Sequence, residues 1–223
     1  MPLIEFREAA VRVNTPAGDL AILEPTTLTL SEQRIGLIGA NGSGKSTLAR
    51  LVNGLISPTS GQVVVDGVDV ARKGAEVRKR VGFAFTDPAA QLVMPTCVED
   101  IELSLRRLKV SKAGRRSRAI DVLRAYGIER LADTSVHALS GGQKQLLALA
   151  GVLATKPAIL VADEPTTLLD LRNTRKIADL LFGLDQQLLL VTHDLDLAVR
   201  CDRVLVVENA RVAFDGSPDD AID

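Results

Sequence analysis

Aromatic residues and cysteines are scarce in this chain. Its 223 residues include no tryptophan, one tyrosine and five phenylalanines, which is 3% of the sequence. The two cysteines, Cys97 and Cys201, lie far apart and lack the spacing of a metal site. This cysteine usage excludes a disulfide framework of the secreted kind and predicts two free thiols in a reducing compartment.

A surplus of charge of one sign is also lacking. The 27 lysines and arginines nearly balance 28 aspartates and glutamates, so the formal net charge is −1. Composition therefore gives no indication of binding to nucleic acid or to an anionic membrane, and we expect no nucleic-acid partner.

Long apolar segments are missing as well. No apolar run approaches the roughly 18 residues of a membrane-spanning helix, and the first residues, MPLIEFREAA, lack the basic and apolar regions of a secretory signal. We therefore expect a cytoplasmic protein, which is compatible with docking on a membrane protein.

A local excess of basic residues lies between positions 106 and 118. The simplest interpretation is a solvated helix pair with its linker, and a patch facing anionic lipid headgroups is the alternative. RNA binding is disfavoured because no aromatic residues are interleaved with the basic ones. The members of this basic cluster are Arg106, Arg107, Lys109, Lys112, Arg115, Arg116 and Arg118.

Strand and helix patterns alternate over two parts of the chain. Short apolar runs such as RIGLIG, AILVAD, QLLLVT and RVLVVE alternate with helical segments, which predicts an α/β fold with a parallel sheet. The first 30 residues indicate strands and turns, with NTPAGD as a loop, whereas residues 88–155 are mostly helical in pattern. We predict a single domain over residues 1–223. Residues 1–87 and 156–223 would form an α/β core with an N-terminal antiparallel β lobe, and residues 88–155 an inserted helical subdomain.

A glycine-rich motif follows the first predicted buried strand and precedes a helix. GANGSGKS matches the pattern G-x-x-x-x-G-K-[ST], in which backbone N–H groups and a helix N-terminus surround phosphate oxygens. Lys45 would add a full positive charge for the β- and γ-phosphates, and the Ser46 hydroxyl would bind Mg²⁺. The motif thus predicts a P-loop NTPase. The predicted nucleotide-binding residues are Gly39, Ala40, Asn41, Gly42, Ser43, Gly44, Lys45, Ser46 and Thr47.

Acidic residues and a histidine end two other predicted strands. Asp163 closes the run AILVAD and would complete the Mg²⁺ site with Ser46. Glu164 would orient the attacking water as a catalytic base, with an ordinary ion pair as the alternative. His193, which follows QLLLVT, would reach the γ-phosphate, and the alternative is a packed or capping histidine.

A second glycine motif, LSGGQKQ at residues 139–145, stands about a hundred residues after the first. Together with GANGSGKST, LVADEPT, a D-loop-like TLLD ending at Asp170, and His193, it resembles the ATP-binding-cassette (ABC) ATPase family, in that family's order. The resemblance implies ATP and Mg²⁺ as ligands and a head-to-tail homodimer. Ser140, Gly141, Gly142 and Gln143 of one subunit would then cap the nucleotide bound at Lys45 of the other.

The segment DPAAQLVMPTCVEDI, residues 87–101, resembles the ATPase subunits of energy-coupling-factor importers and of cobalt and nickel uptake systems. Within that group the chain is most similar to the ATPase of biotin uptake. The resemblance implies a membrane T component, a substrate-binding S component and a peripheral position at the cytoplasmic face of the cell membrane. The expected cargo is a vitamin, with biotin favoured, or a metal ion. The ATPase subunit of another ABC importer or exporter is the alternative.

Two positions depart from the family pattern. Thr86 stands where the family has a glutamine that touches Mg²⁺ and relays to the membrane partner, and Gln91 is the nearest amide in the same loop. We hypothesise that Thr86 lies near the Mg²⁺ water shell while Gln91 serves the γ-phosphate or the membrane partner, the alternative being that Gln91 only makes a backbone hydrogen bond. In addition, VRVNTPAG offers no aromatic ring for adenine.

Overall fold

The computed structural model describes residues 1–16, 18–108 and 111–222, so Lys109 of the basic cluster lies outside the described residues. Ten strands in these ranges form a four-stranded and a six-stranded sheet. The strands are β1 Ile4–Thr15, β2 Gly18–Leu30, β3 Arg34–Ile38, β4 Ser60–Val65, β5 Val68–Asp69, β6 Val81–Ala84, β7 Ile159–Asp163, β8 Gln187–Val191, β9 Arg203–Glu208 and β10 Arg211–Gly216.

The helices flank and interrupt this series of strands. They are α1 Lys45–Asn53, α2 Val70–Arg80, α3 Cys97–Leu105, α4 Lys112–Ala125, α5 Gly141–Leu153, α6 Leu171–Phe182, α7 Leu195–Ala198 and α8 Pro218–Ile222, with short 3₁₀ turns at Pro88–Ala90, Glu129–Leu131 and Val136–Ala138. No helix in the described part of the chain has the length and apolar character needed to cross a bilayer.

The six-stranded sheet has the order β10-β9-β3-β8-β7-β6. β3 pairs in parallel with both β8 and β9, and β7 pairs in parallel with β8. Every residue of β3, β7 and β8 is buried, which is the pattern of central parallel strands and explains their nearly continuous apolar runs. Because the carboxyl ends of parallel strands lie at one sheet edge, the segments that follow β3, β7 and β8 start from the same edge.

The four-stranded sheet is antiparallel, with the order β2-β1-β4-β5. The predicted NTPAGD loop is wrong in its extent, because β1 continues to Thr15 and β2 begins at Gly18. Asn14 pairs with Asp19, Thr15 pairs with Gly18, and the Thr15 hydroxyl donates to the Gly18 carbonyl at 2.6 Å. Gly18 has φ +112°, which permits the tight hairpin.

The chain forms two compact units. The first contains residues 1–83, 158–164 and 182–223, and the second contains residues 84–157 and 165–181. Residues 165–181, which the sequence predicts to be part of the α/β core, pack in this structure with the helical residues of the second unit. The physical reason lies within that unit, where the first turn of α6 approaches the first turn of α5. A Cβ built on Gly142 would be 2.4 Å from Cγ of Asn173.

Both cysteines are buried free thiols, as predicted. Burial raises the pKa of the Cys201 thiol to about 12 and also raises that of Cys97. Since the thiolate is the reactive form, neither residue has the electronic character of a nucleophile.

A buried arginine opens the central strand of the first unit. Arg34 is 8% exposed, and its guanidinium donates hydrogen bonds to carbonyls at the end of α6 and in the segment between α6 and β8. Its acceptors there are the carbonyl oxygens of Phe182 at 3.1 Å, Gln186 at 2.8 Å, and Leu184. The fork geometry of arginine suits several carbonyls at once, so Arg34 fixes the return of the chain into β8.

We expect Arg34→Met to lower the free energy of unfolding by about 3 kcal/mol, because it leaves buried carbonyl groups without a donor. Urea unfolding of the full chain measures this change. Arg7→Met is the matched control: Arg7 pairs with Glu5 on the surface, and its loss should cost less than about 1 kcal/mol. Equal effects of the two substitutions would contradict the assignment.

Candidate nucleotide site

The loop between β3 and α1 is shaped by glycines with positive φ. Gly39 has φ +139° and Gly44 has φ +112°. A Cβ on Gly39 would lie 2.1 Å from the Val207 carbonyl oxygen, and one on Gly44 would lie 2.8 Å from the Ile22 carbonyl oxygen. Strands β9 and β2 therefore come so close to this loop that only glycine fits at both positions.

The turn between β9 and β10 supports the same loop. Ala210 N–H donates to the Ser43 carbonyl at 3.0 Å, and Glu24 N–H donates to the Ala210 carbonyl at 2.8 Å. Asn209 and Ala210 both have left-handed backbone angles. Asn209 signals a turn in the sequence. Sequence reasoning missed the support because no local pattern shows that this turn contacts the loop between β3 and α1.

Polar groups from α1 and β7 meet at the carboxyl edge of the sheet. The Lys45 ammonium donates to the carbonyls of Gly39 at 2.7 Å and Ala40 at 2.8 Å. The Ser46 hydroxyl donates to Asp163 Oδ1 at 2.8 Å, and the Asp163 side chain is only 1% exposed. The structure thus places Ser46 in contact with Asp163, the two residues that the sequence predicts for the Mg²⁺ site, and directs Lys45 to the carbonyls of the loop.

Arg50 is a further member of this group that sequence reasoning missed. Its guanidinium lies 3.4 Å from Asp163 Oδ2. The available signal was its position four residues after Ser46 on α1, which places both side chains on one helix face. The Arg50 guanidinium thus places a positive charge beside the buried Asp163 carboxylate.

The loop and its surroundings fit a bound nucleotide with Mg²⁺. The buried Ser43 hydroxyl oxygen has no hydrogen-bond partner within the described ranges. Helix α1 begins without a side-chain cap, so its first N–H groups are available to phosphate oxygens. The Ser46 hydroxyl and the Asp163 carboxylate are hard oxygen ligands, and Mg²⁺ commonly uses few of these from the protein. The described residues contain no cluster of three or more His, Cys, Asp or Glu side chains suited to a metal.

Glu164 and His193 form a pair in the first unit. His193 Nδ1 lies 2.8 Å from Glu164 Oε2. Glu164 has φ +52°, an uncommon conformation for a glutamate, and its N–H donates to the Val191 carbonyl at 2.9 Å. The backbone therefore directs the Glu164 side chain away from the path of β7 and onto the histidine that follows β8. Strained backbone of this kind is concentrated at functional sites.

In the second unit, the LSGGQ motif forms the start of α5. Ser140 is the N-cap residue: its hydroxyl oxygen accepts from Gln143 N–H at 3.4 Å, and Gln143 Oε1 accepts from Ser140 N–H at 2.9 Å. This capping box stabilises the helix start. Ser140, Gly141, Gly142 and Gln143 thus occupy a helix N-terminus, the position that favours an anionic ligand.

Asp170 is the residue before α6 and acts there as a local cap. Its Oδ1 accepts from Asn173 N–H at 2.8 Å and its Oδ2 accepts from Asn173 Nδ2 at 2.9 Å. The backbone hydrogen bond from Asn173 lowers the pKa of Asp170. The neighbouring Leu168 and Leu171 are 62% and 80% exposed.

Thr86 and Gln91 lie in the second unit after β6. Thr86 is at a bend directly beyond that strand. Gln91 Oε1 accepts from Phe85 N–H and Gln91 Nε2 donates to the Ala148 carbonyl, both at 3.3 Å. Both ends of the Gln91 amide are therefore bound to backbone, as in the alternative interpretation of this residue, rather than available to a phosphate.

The segment VRVNTPAG, which offers no aromatic ring for adenine, lies at the β1–β2 hairpin. Val13 and Leu20 face each other there as a register pair, and both are exposed. The structure thus offers an aliphatic surface at this position.

A phosphate-binding loop after a buried parallel strand, with a buried aspartate in reach of its serine, defines a P-loop nucleotide hydrolase. Residues 23–167 match the family model described as ABC transporter. The chain is 44% identical to the biotin transport ATP-binding protein BioM of Rhizobium etli, over 98% of this chain and 96% of that protein.

Solved structures show the same fold. The structure of cbiO1 from Clostridium perfringens, part of the ABC transporter complex cbiONQ, has a TM-score of 0.83 at 32% identity and covers 98% of this chain and 90% of that one. The dimeric structure of the bacterial ABC transporter cassette MJ0796 has a TM-score of 0.86 at 28% identity, covering 96% and 98% of the two chains.

The chain therefore belongs to the ABC transporter family, and it is an ATP-hydrolysing subunit of that family. The predicted α/β fold with an antiparallel sheet and added helices is confirmed by these structural matches.

We expect Gly39→Ala to lower the free energy of unfolding by about 3 kcal/mol, the upper end of the cost of a strained backbone position, because its methyl group meets the Val207 carbonyl. Gly42→Ala is the control. Gly42 also has positive φ, +79°, but has nothing within 4 Å of its Cβ position, so only the left-handed backbone cost of about 1–2 kcal/mol applies. Urea unfolding compares the two, and a Gly39→Ala variant no less stable than Gly42→Ala would refute the close approach.

Proposed function

We propose that this chain is the ATPase subunit of an energy-coupling-factor type importer, with biotin as its favoured cargo. The observation that carries the proposal is its 44% identity, over nearly the whole of both chains, to a relative named for biotin transport. The segment at residues 87–101, with its resemblance to such importers, adds support. A metal ion is the second cargo, and another ABC importer or exporter is the alternative system.

The first unit would bind and hydrolyse ATP. Lys45 would exchange its two carbonyl acceptors for the β- and γ-phosphate oxygens, and residues 39–47 would surround these oxygens with N–H groups. Mg²⁺, held by Ser46 with Asp163 through its water shell, would neutralise charge on the phosphates.

Hydrolysis itself would depend on Glu164 and His193. Glu164 would accept hydrogen bonds from the attacking water and polarise it. Its hydrogen bond to His193 Nδ1 fixes the direction of the imidazole, so that the opposite ring nitrogen, Nε2, is the atom free to face the γ-phosphate.

The second unit would act on the nucleotide of a second copy. We propose a head-to-tail homodimer in which Ser140, Gly141, Gly142 and Gln143 of one subunit cap the γ-phosphate held by Lys45 of the other. The uncovered Leu168 and Leu171, on either side of Asp170, support a protein contact at this end of the chain's second unit. A related cassette has been solved as a dimer.

The loop before α3 would contact a membrane T component. The buried Asp100 carboxylate accepts from the N–H groups of Val93 at 3.0 Å and Met94 at 3.1 Å, which presents the exposed Val93 side chain on a fixed loop. Thr86 would act near the Mg²⁺ water shell, and Gln91 would hold the loop in shape. An S component would bind the cargo, and the ATPase would lie at the cytoplasmic face of the membrane.

We expect Glu164→Gln to bind ATP normally but to hydrolyse it more slowly by about 10²–10⁴-fold, because the water loses its charged acceptor while the phosphate ligands remain. The variant should accumulate an ATP-bound dimer, measured by size exclusion with ATP and Mg²⁺. Glu102→Gln, at a partly buried position on α3, serves as control and should keep wild-type turnover. A Glu164→Gln variant with wild-type hydrolysis would exclude the catalytic role.

The importer assignment is tested by purifying the tagged chain from detergent-solubilised membranes and identifying its protein partners and bound small molecules by mass spectrometry. We expect two small membrane proteins and biotin. Uptake of labelled biotin by cells should be lost with Lys45→Ala. Recovery of cobalt or nickel would assign the metal cargo, and recovery of a different membrane partner would favour the other ABC systems.

A further inference from the structure

Gly142 lies against the side chain of Asn173. A Cβ on Gly142 would be 2.4 Å from Cγ, 2.5 Å from Oδ1 and 2.8 Å from Nδ2 of Asn173. Gly142 is within α5 and does not have positive φ. Its need for glycine is therefore set by this neighbour and not by its own backbone conformation.

The same Asn173 amide group holds the carboxylate of Asp170. The Asn173 backbone N–H donates to Oδ1 of Asp170, and the Asn173 side-chain Nδ2 donates to Oδ2. A helix N-cap needs only the backbone contact. The additional side-chain bond binds the second oxygen and prevents rotation of the carboxylate about its own axis.

We propose that Asn173 is a positioning residue that holds the LSGGQ turn and the Asp170 turn in one fixed arrangement for presentation to the second subunit. The proposal rests on the homodimer of the proposed function and deepens it. Asn173 is half-buried and lies between the two turns, so it acts through Gly142 and Asp170.

This geometry has a mechanical consequence. Asn173 can leave Gly142 only by turning its amide, and that turn removes the bond to Asp170 Oδ2. A displacement of either turn is therefore passed to the other through one short, rigid side chain. We therefore expect the LSGGQ turn and the Asp170 turn to contact the partner subunit as one rigid surface.

A double-mutant cycle tests the contact without any dimer. In the wild-type background Gly142→Ala should lower the urea midpoint, because the methyl group displaces Asn173. In an Asn173→Ala background the clash is gone and alanine is the better helix former, so Gly142→Ala should leave the midpoint unchanged or raise it. Equal decreases in both backgrounds would overturn the proposal.

ATP-dependent dimerisation in a Glu164→Gln background tests the role in the second subunit. Asn173→Ala should weaken the dimer about tenfold, which is about 1.4 kcal/mol, while ATP binding to the monomer and the thermal midpoint stay near those of the parent. Asn173→Asp keeps the shape but lacks the donor to Asp170, and should also weaken the dimer. Arg175→Ala, exposed on the same helix, is the control and should not.

The outcomes separate the two levels of the proposal. If Glu164→Gln itself forms no dimer with ATP, the homodimer is wrong and the role of Asn173 falls with it. A dimer of parental affinity in the Asn173→Ala variant overturns the positioning role alone. If ATP binding by the monomer or thermal stability falls as far as dimerisation, Asn173 is only a structural residue.

Discussion

The buried carboxylate of Asp163 is the constraint on which the first unit depends. A charge removed from water is costly unless hydrogen bonds and opposite charge compensate it. Here the Ser46 hydroxyl and the Arg50 guanidinium provide that compensation, and both come from α1. The helix must therefore begin at Lys45 and run past the end of β7, which fixes the glycine loop between β3 and α1.

The loop has little freedom once α1 is set. On one side it meets the Val207 carbonyl, and on another it receives the N–H of Ala210. Strands distant in sequence thus form its walls. The phosphate site is consequently a property of the whole first unit and not of the eight-residue motif alone.

The sequence allowed prediction of those features that depend on local pattern. Buried parallel strands, the glycine loop, Asp163 at a strand end and Ser140 at a helix start each have a signature within about ten residues. The distant partners of Arg50, of the Asn209–Ala210 turn and of the Gln91 amide nitrogen could not be predicted, because strand and helix pairing over long sequence distances brings them together. The extent of the β1–β2 hairpin was missed because strand pairing overrode the turn preference of NTPAGD. The packing of residues 165–181 with the helical residues has no local signature, because it includes the approach of Asn173 to Gly142, which periodicity does not reveal.

The position of β3 has a consequence for synthesis on the ribosome. Its sheet partners are β8 and β9, which follow only after more than half of the chain. At about 5–20 residues per second, the strand is without these partners for on the order of 10 s. A buried strand of the nascent protein is thus made early and paired late, and the helical segment at residues 84–157 is synthesised before its partners appear. Vectorial synthesis therefore exposes RIGLI to the cellular folding machinery for most of the chain's production.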